Sequence, residues 1–161
     1  MIVYNNMSIR KATPLEVSVY TVKTGQKISS KLENELDRQL SLSGWLALDY
    51  LLRNGESPLS ELVPLLGSKA NATEITSKLE GRGLIIKETN PNNRRTRYVR
   101  ITASGELAVE QNEPRLHEAS AVLLGGLDDR EQAETSRVMS TILGEKVISL
   151  LDRSPPDPVT S

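Results

Sequence analysis

Between residues 57 and 102 the apolar positions change period twice. Leu59, Leu62, Val63 and Leu66 fall on one face at helical spacing, behind Ser57 as a cap and Pro58 as a suited first residue, which predicts a short helix over 58–66. Pro64 is expected to interrupt it. Gly67 breaks it, Ser68 can cap the next, and Ala72, Ile75 and Leu79 predict a second helix over 69–82 that leaves at Gly83. Its polar positions Lys69, Asn71, Thr73, Glu74 and Ser77 stand off that apolar stripe. Residues 84–89 and 96–101 are rich in β-branched and aromatic side chains and predict two strands. The joining segment, 90–95, is a turn-forming cluster ending in two adjacent cations, Arg94 and Arg95. Helix, turn, helix and a cationic two-stranded ribbon is the pattern of a winged helix-turn-helix.

The flanks are helical by the same reading. Thr13, Pro14 and Glu16 make a capping box with proline at the first position. From there Leu15, Val19, Val22, Ser29, Leu32, Leu36 and Leu40 follow one stripe to about residue 42. Residues 17–22 compete as a strand and Gly25 weakens the helix, but the stripe favours one long helix. Ser43 is the expected cap of the next, whose Trp45, Leu46, Leu48, Leu51 and Leu52 are too apolar for a surface helix and which Asn54 and Gly55 close. After the ribbon, Thr102 can cap a helix through Leu107, Leu116, Ala119 and Val122, with Pro114 as a kink and Gly125–Gly126 as its end. Asp128 with Glu131 restarts a last helix carrying Val138, Ile142, Val147, Leu150 and Leu151. Pro155, Pro156 and Pro158 mark a disordered tail.

The expected organisation is an arm and dimerisation helix over 1–42, a winged helix-turn-helix over 43–102, dimerisation helices over 103–153 and a tail over 154–161. The fold class is mainly α (α+β). The terminal stripes have too little to pack on within one protomer, so they predict an interface.

Composition narrows the chemistry. Phenylalanine is absent, and Trp45 and four tyrosines are the only aromatics, so the core is expected to be Leu, Ile, Val and Ala. Absence of cysteine excludes disulfides and thiolate sites, and a single histidine with no glycine-rich phosphate loop argues against an enzyme and against a cofactor. No apolar run reaches bilayer length and residues 1–10 lack a signal peptide's apolar block, which makes the cytoplasm the expected location. The net charge of −1 hides an asymmetry. Lys69, Lys78, Arg82, Lys87, Arg94, Arg95, Arg97 and Arg100 face only Glu74, Glu80 and Glu88 within 69–100. A basic face on an acidic body suits docking on phosphates.

The run Ser77-Lys78-Leu79-Glu80-Gly81-Arg82-Gly83-Leu84-Ile85 resembles the end of the recognition helix and the entry to the wing in the MarR family of transcriptional regulators. Asn90-Pro91-Asn92-Asn93-Arg94-Arg95 with Ile101-Thr102 and Gly105 is similar to that family's "DPxDRR…LTxxG" wing. Asn90 and Asn93 stand where the family has aspartates, so the acid that braces the wing arginine is missing. The resemblance implies a homodimer intertwined through its terminal helices, with two recognition helices ~34 Å apart on a palindromic double-stranded DNA operator. Repression is expected rather than activation, since a repressor needs only to occupy a site that polymerase also needs. An activator needs an extra contact surface that the sequence does not show. The resemblance also allows a small-molecule effector, which no residue identifies: His117, Trp45 and Tyr50 read as ordinary surface or core residues.

On this reading Lys69, Asn71, Thr73 and Ser77 approach base edges or phosphates in the major groove. Arg95 at a hairpin tip enters an A·T-rich minor groove, Arg94 and Arg97 hold phosphates, and Lys78 completes the DNA-binding set. The competing reading is a winged helix without operator specificity that serves as a protein-interaction module, motivated by Glu74 and the missing wing aspartates.

Overall fold

The computed structural model describes residues 12–90, 93–144 and 146–147, and of residues 90 and 93–96 the backbone only. The predicted arm and the tail lie outside the described residues.

Helix α1 spans Pro14–Glu35 and starts as expected: the Thr13 side chain accepts from the Glu16 N–H while the Glu16 carboxylate accepts from the Thr13 N–H. The strand-like run inside it is helical, and Ser18 and Thr21 there return their hydroxyls to the carbonyls of Pro14 and Val17. The helix does not reach residue 42. It stops at Glu35, where Leu36 turns extended, and the following turn drops Leu36 and Leu40 into the core. Helix α2, Leu42–Asn54, is capped by Ser41, not Ser43, whose position lies inside the helix. It is the buried helix expected, with Ala47, Leu48 and Leu51 fully enclosed. Asp49, also buried, is paired with Arg53 one turn on at 3.0 Å.

Residues 57 and 58 do not begin the next helix. They form a short strand, β1, Ser57–Pro58, so the helix that follows, α3, is Leu59–Leu66 with Pro58 at its cap position. Pro64 is accommodated inside α3 and does not interrupt it. Gly67, at φ 86°, makes the turn that a side chain would strain, and Ser68 caps α4, Lys69–Gly81. Gly83, at φ 70°, leads into β2, Ile85–Asn90, and β3 is Asn93–Ile101. All three strands form one antiparallel sheet in the order β1-β3-β2, with Ser57 opposite Val99 and Ile85 opposite Ile101. The two-stranded ribbon is therefore three-stranded.

The start of α5, Ala103–Leu124, locks onto the base of this sheet. Thr102 accepts from the Gly105 N–H at 3.2 Å, donates its hydroxyl to the Gly83 carbonyl at 2.7 Å, and gives its own N–H to Leu84. A Cβ on Gly105 would run into the Leu84 carbonyl and lie 2.7 Å from Ile101 Cγ1, so this close approach requires glycine. Pro114 lies within α5, which ends at Gly125. Helix α6, Asp129–Leu143, opens with the expected Asp128–Glu131 capping box.

The core joins α2, α3, α4, the sheet and α5, around Leu48, Leu51, Leu62, Ile85, Val99 and Val109. Neither α1 nor α6 buries a single residue fully. Leu15, Val17, Tyr20 and Val22 on α1, Val122 on α5, and Ile142 and Leu143 on α6 are exposed.

Candidate nucleic-acid interface

Helix α4 presents its surface because only one of its sides is apolar. Ala72, Thr76 and Leu79 are buried, the Thr76 hydroxyl satisfied by the Ala72 carbonyl, while 69–71, 73, 74, 77 and 78 are exposed. The expected reading residues divide into two strips along that surface.

Lys69 and Thr73 face the sheet. With Lys87 of β2, Arg97 of β3, and Leu59 and Val63 of α3 they line a cleft of about 480 Å³. Thr73 donates its hydroxyl to the Lys69 carbonyl at 2.8 Å, so it can only accept from a ligand. Ser77 accepts from Lys87 Nζ at 3.0 Å, and Lys87 is also paired with Glu80 at 2.9 Å. Lys87 is thus a neutralised, nearly buried strut that fixes the angle between α4 and the sheet.

Lys78 and Asn71 lie elsewhere. Lys78 lines a hollow beside α1 and α2 with Arg38, Gln39 and Arg82, and is paired with Glu74 at 2.6 Å. The Lys78 hydrogen bond, and then its charge, hold the Glu74 carboxyl below its ordinary value. Asn71 gives its backbone N–H to the Ser68 cap, and its side-chain amide leans on the Leu66 carbonyl at 3.5 Å.

Arg94 and Arg95 are not in a connecting turn. Both belong to the backbone of β3, where Asn93 pairs with Asn90 and Arg97 with Thr89, so 94–96 bulge from the ladder. Their side chains lie outside the described residues.

The charge reading also changes. Of the basic-segment cations with described side chains, Lys78, Arg82, Lys87 and Arg100 are paired with Glu74, Asp37, Glu80 and Glu88. Lys69 and Arg97 have no ion-pair partner among the described residues, and they converge on the same cleft. Arg82 was missed as a contact residue. Its Nη1 donates to the Gln39 carbonyl at 2.5 Å, tying the end of α4 to the turn after α1. That contact spans 43 residues of sequence, beyond any local signal.

Among the described residues no helix is long and apolar enough to cross a membrane, and no group of three or more acidic or histidine side chains is placed to hold a metal. His117 sits on α5 at 3.5 Å from Glu113 and lines a hollow of about 240 Å³ with Leu32, Trp45, Leu46 and Leu116.

Residues 40–96 match the MarR family model, a segment running from the end of the turn after α1 into the bulge of β3. The chain is similar to an uncharacterised HTH-type transcriptional regulator, YwaE of Bacillus subtilis, at 28% identity over 80% of this chain and 82% of the relative. Its fold is that of Bordetella bronchiseptica BpsR, whose structure concerns regulation of DNA binding by 6-hydroxynicotinic acid. The TM-score is 0.74 at 20% identity, covering 80% of this chain and 98% of that one. A mutant MarR from E. coli complexed with operator DNA gives a TM-score of 0.72 at 19% identity, over 80% and 94% of the two chains. The matched segment holds the helix-turn-helix and most of the wing, with the Thr102–Gly105 lock following it, and over that segment the chain is similar to the DNA-binding transcriptional regulators of the MarR family.

Proposed function

We propose that this regulator is a cytoplasmic repressor that occupies a palindromic operator as a homodimer. Residues 43–102 form the reading unit, and 1–42 with 103–153 form the dimer body. The carrying observation is the cleft between α4 and the sheet, where Lys69 and Arg97 stand without anionic partners among the described residues, beside the exposed face of a capped helix. Two cations there can hold one backbone phosphate while α4 lies in the major groove. Asn71, Thr73, Ser77 and Lys78 lie along the same helix, and Arg94 and Arg95 follow in the wing strand. The exposed apolar residues of α1, α5 and α6 support a dimer, since a monomer would leave them wet.

A small effector fits the same reading. The hollow at the α1, α2 and α5 junction has room for a small molecule, and BpsR is regulated by one.

The test is fluorescence anisotropy on the duplex upstream of the protein's own gene, against scrambled DNA, at two salt concentrations, with Arg97→Ala and Arg95→Ala alongside. Tight, salt-sensitive, sequence-dependent binding weakened by both variants is expected. Equal weak binding to every duplex would instead favour the protein-interaction module.

A further inference from the structure

The exposed face of α4 has an unusual centre. Opposite the buried Ala72, Thr76 and Leu79, at 100° per residue, lie Ala70, Glu74 and Gly81. The only charge on that midline is a carboxylate. On a surface meant for phosphates it is repulsive unless something offsets it or uses it.

Glu74 is offset on one side only. Its Oε1 takes Lys78 Nζ at 2.6 Å, and the two side chains stay 62% and 72% exposed. Oε2 accepts no hydrogen bond among the described residues. The pair therefore presents an open acceptor beside an ammonium that has further protons to give.

In the major groove the donors are the cytosine N4 and adenine N6 amines. Adenine sets its acceptor N7 beside the amine, which repels a second carboxylate oxygen. Cytosine sets its amine beside the O6 of its paired guanine, an acceptor suited to an ammonium. An acceptor and a donor held side by side match the major-groove edge of one C·G pair. We propose that Glu74, with Lys78 beside it, reads a C·G pair in each operator half-site, Glu74 accepting from cytosine N4 and Lys78 donating to guanine O6. This rests on the operator-binding function proposed above.

The experiment is binding-site selection from a randomised duplex pool with the full-length chain, wild type against Glu74→Gln and Glu74→Ala. Circular dichroism verifies that the variants fold, as an exposed position allows. The wild type is expected to select C·G at one position per half-site. Both variants lose that preference by at least about fivefold, and Glu74→Gln moves it toward adenine, whose N6 and N7 a glutamine amide pairs with. If the variants keep the wild-type motif and merely bind every duplex more tightly, Glu74 is only a repulsive charge and the inference fails while the operator function stands. A wild type that selects no motif overturns both.

Discussion

The Asp37 backbone N–H donates to Asn112 Oδ1 across 3.1 Å, joining the turn after α1 to the middle of α5. Asn112 is buried and its own amide is satisfied by the Ala108 carbonyl at 2.8 Å. Arg115 adds a bond to the Glu35 carbonyl at 3.3 Å. The turn is therefore held by α5 on one side and, through Gln39, by Arg82 at the end of α4 on the other. Through this turn α1, α5 and the end of α4 share one backbone segment. Asn112→Ala should lower unfolding free energy by about 1–3 kcal/mol, because it strands a part-buried donor. Urea denaturation measures it, and a loss within error would show that water replaces the bond.

The two helix glycines of the wing region should respond oppositely to alanine. Gly105→Ala forces a Cβ into the Leu84 backbone and Ile101, a clash that costs about 1–3 kcal/mol or more. Gly81→Ala meets nothing within 4 Å in the last turn of α4 and should be neutral or stabilising by about 0.5–1 kcal/mol. Paired melting curves decide it.

Salt dependence separates free cations from paired ones. Lys69→Ala and Arg97→Ala should each reduce the slope of log affinity against log salt by about one, the loss of a phosphate contact. Lys87→Met, which removes a strut already neutralised by Glu80, should disturb stability more than slope. A slope change equal to that of Arg97→Ala would place Lys87 on the DNA instead.

Glutamate at Leu15 and Ile142 tests the exposed stripes. In a monomer these positions, 73% and 63% exposed, tolerate charge with little change. In the proposed dimer the double variant should sediment as a monomer, and the wild-type melting temperature should rise with protein concentration.

Alkaline stability depends on Tyr50. Burial pushes its hydroxyl above the ordinary 10.0; the Ser57 hydrogen bond opposes the shift, and the Glu61 carboxylate at 3.1 Å adds to it. A raised folded pKa means the unfolded chain releases this proton first. The contribution is therefore intact below pH 10 and is lost as pH rises through the folded value. Tyr50→Phe should remove that part of the decline, visible in unfolding curves taken above pH 10.

What was legible in the sequence was local. The caps Thr13, Ser68, Thr102 and Asp128 act within three residues, so side-chain type and spacing suffice to find them. Strand β1 was hidden because Ser57 pairs with Val99, while Ser-Pro reads locally as a helix start. The turn after α1 was hidden because Asn112 and Arg82 fix it from distant elements. At the candidate interface, residue types pointed to α4 and the wing strands. Which cations are free depends on partners such as Asp37 for Arg82, which only the packed chain brings together.

The short strand β1 has one more consequence. The sheet has two outer edges, β1 and β2. On β1 the strand is two residues long and Pro58 has no N–H to offer, so a foreign strand finds almost nothing to zip onto. On β2 the charged Lys87 and Glu88 interrupt the run after Ile86. Both margins are thus guarded against fibre-like growth, and a second copy is left the helices as its place to attach.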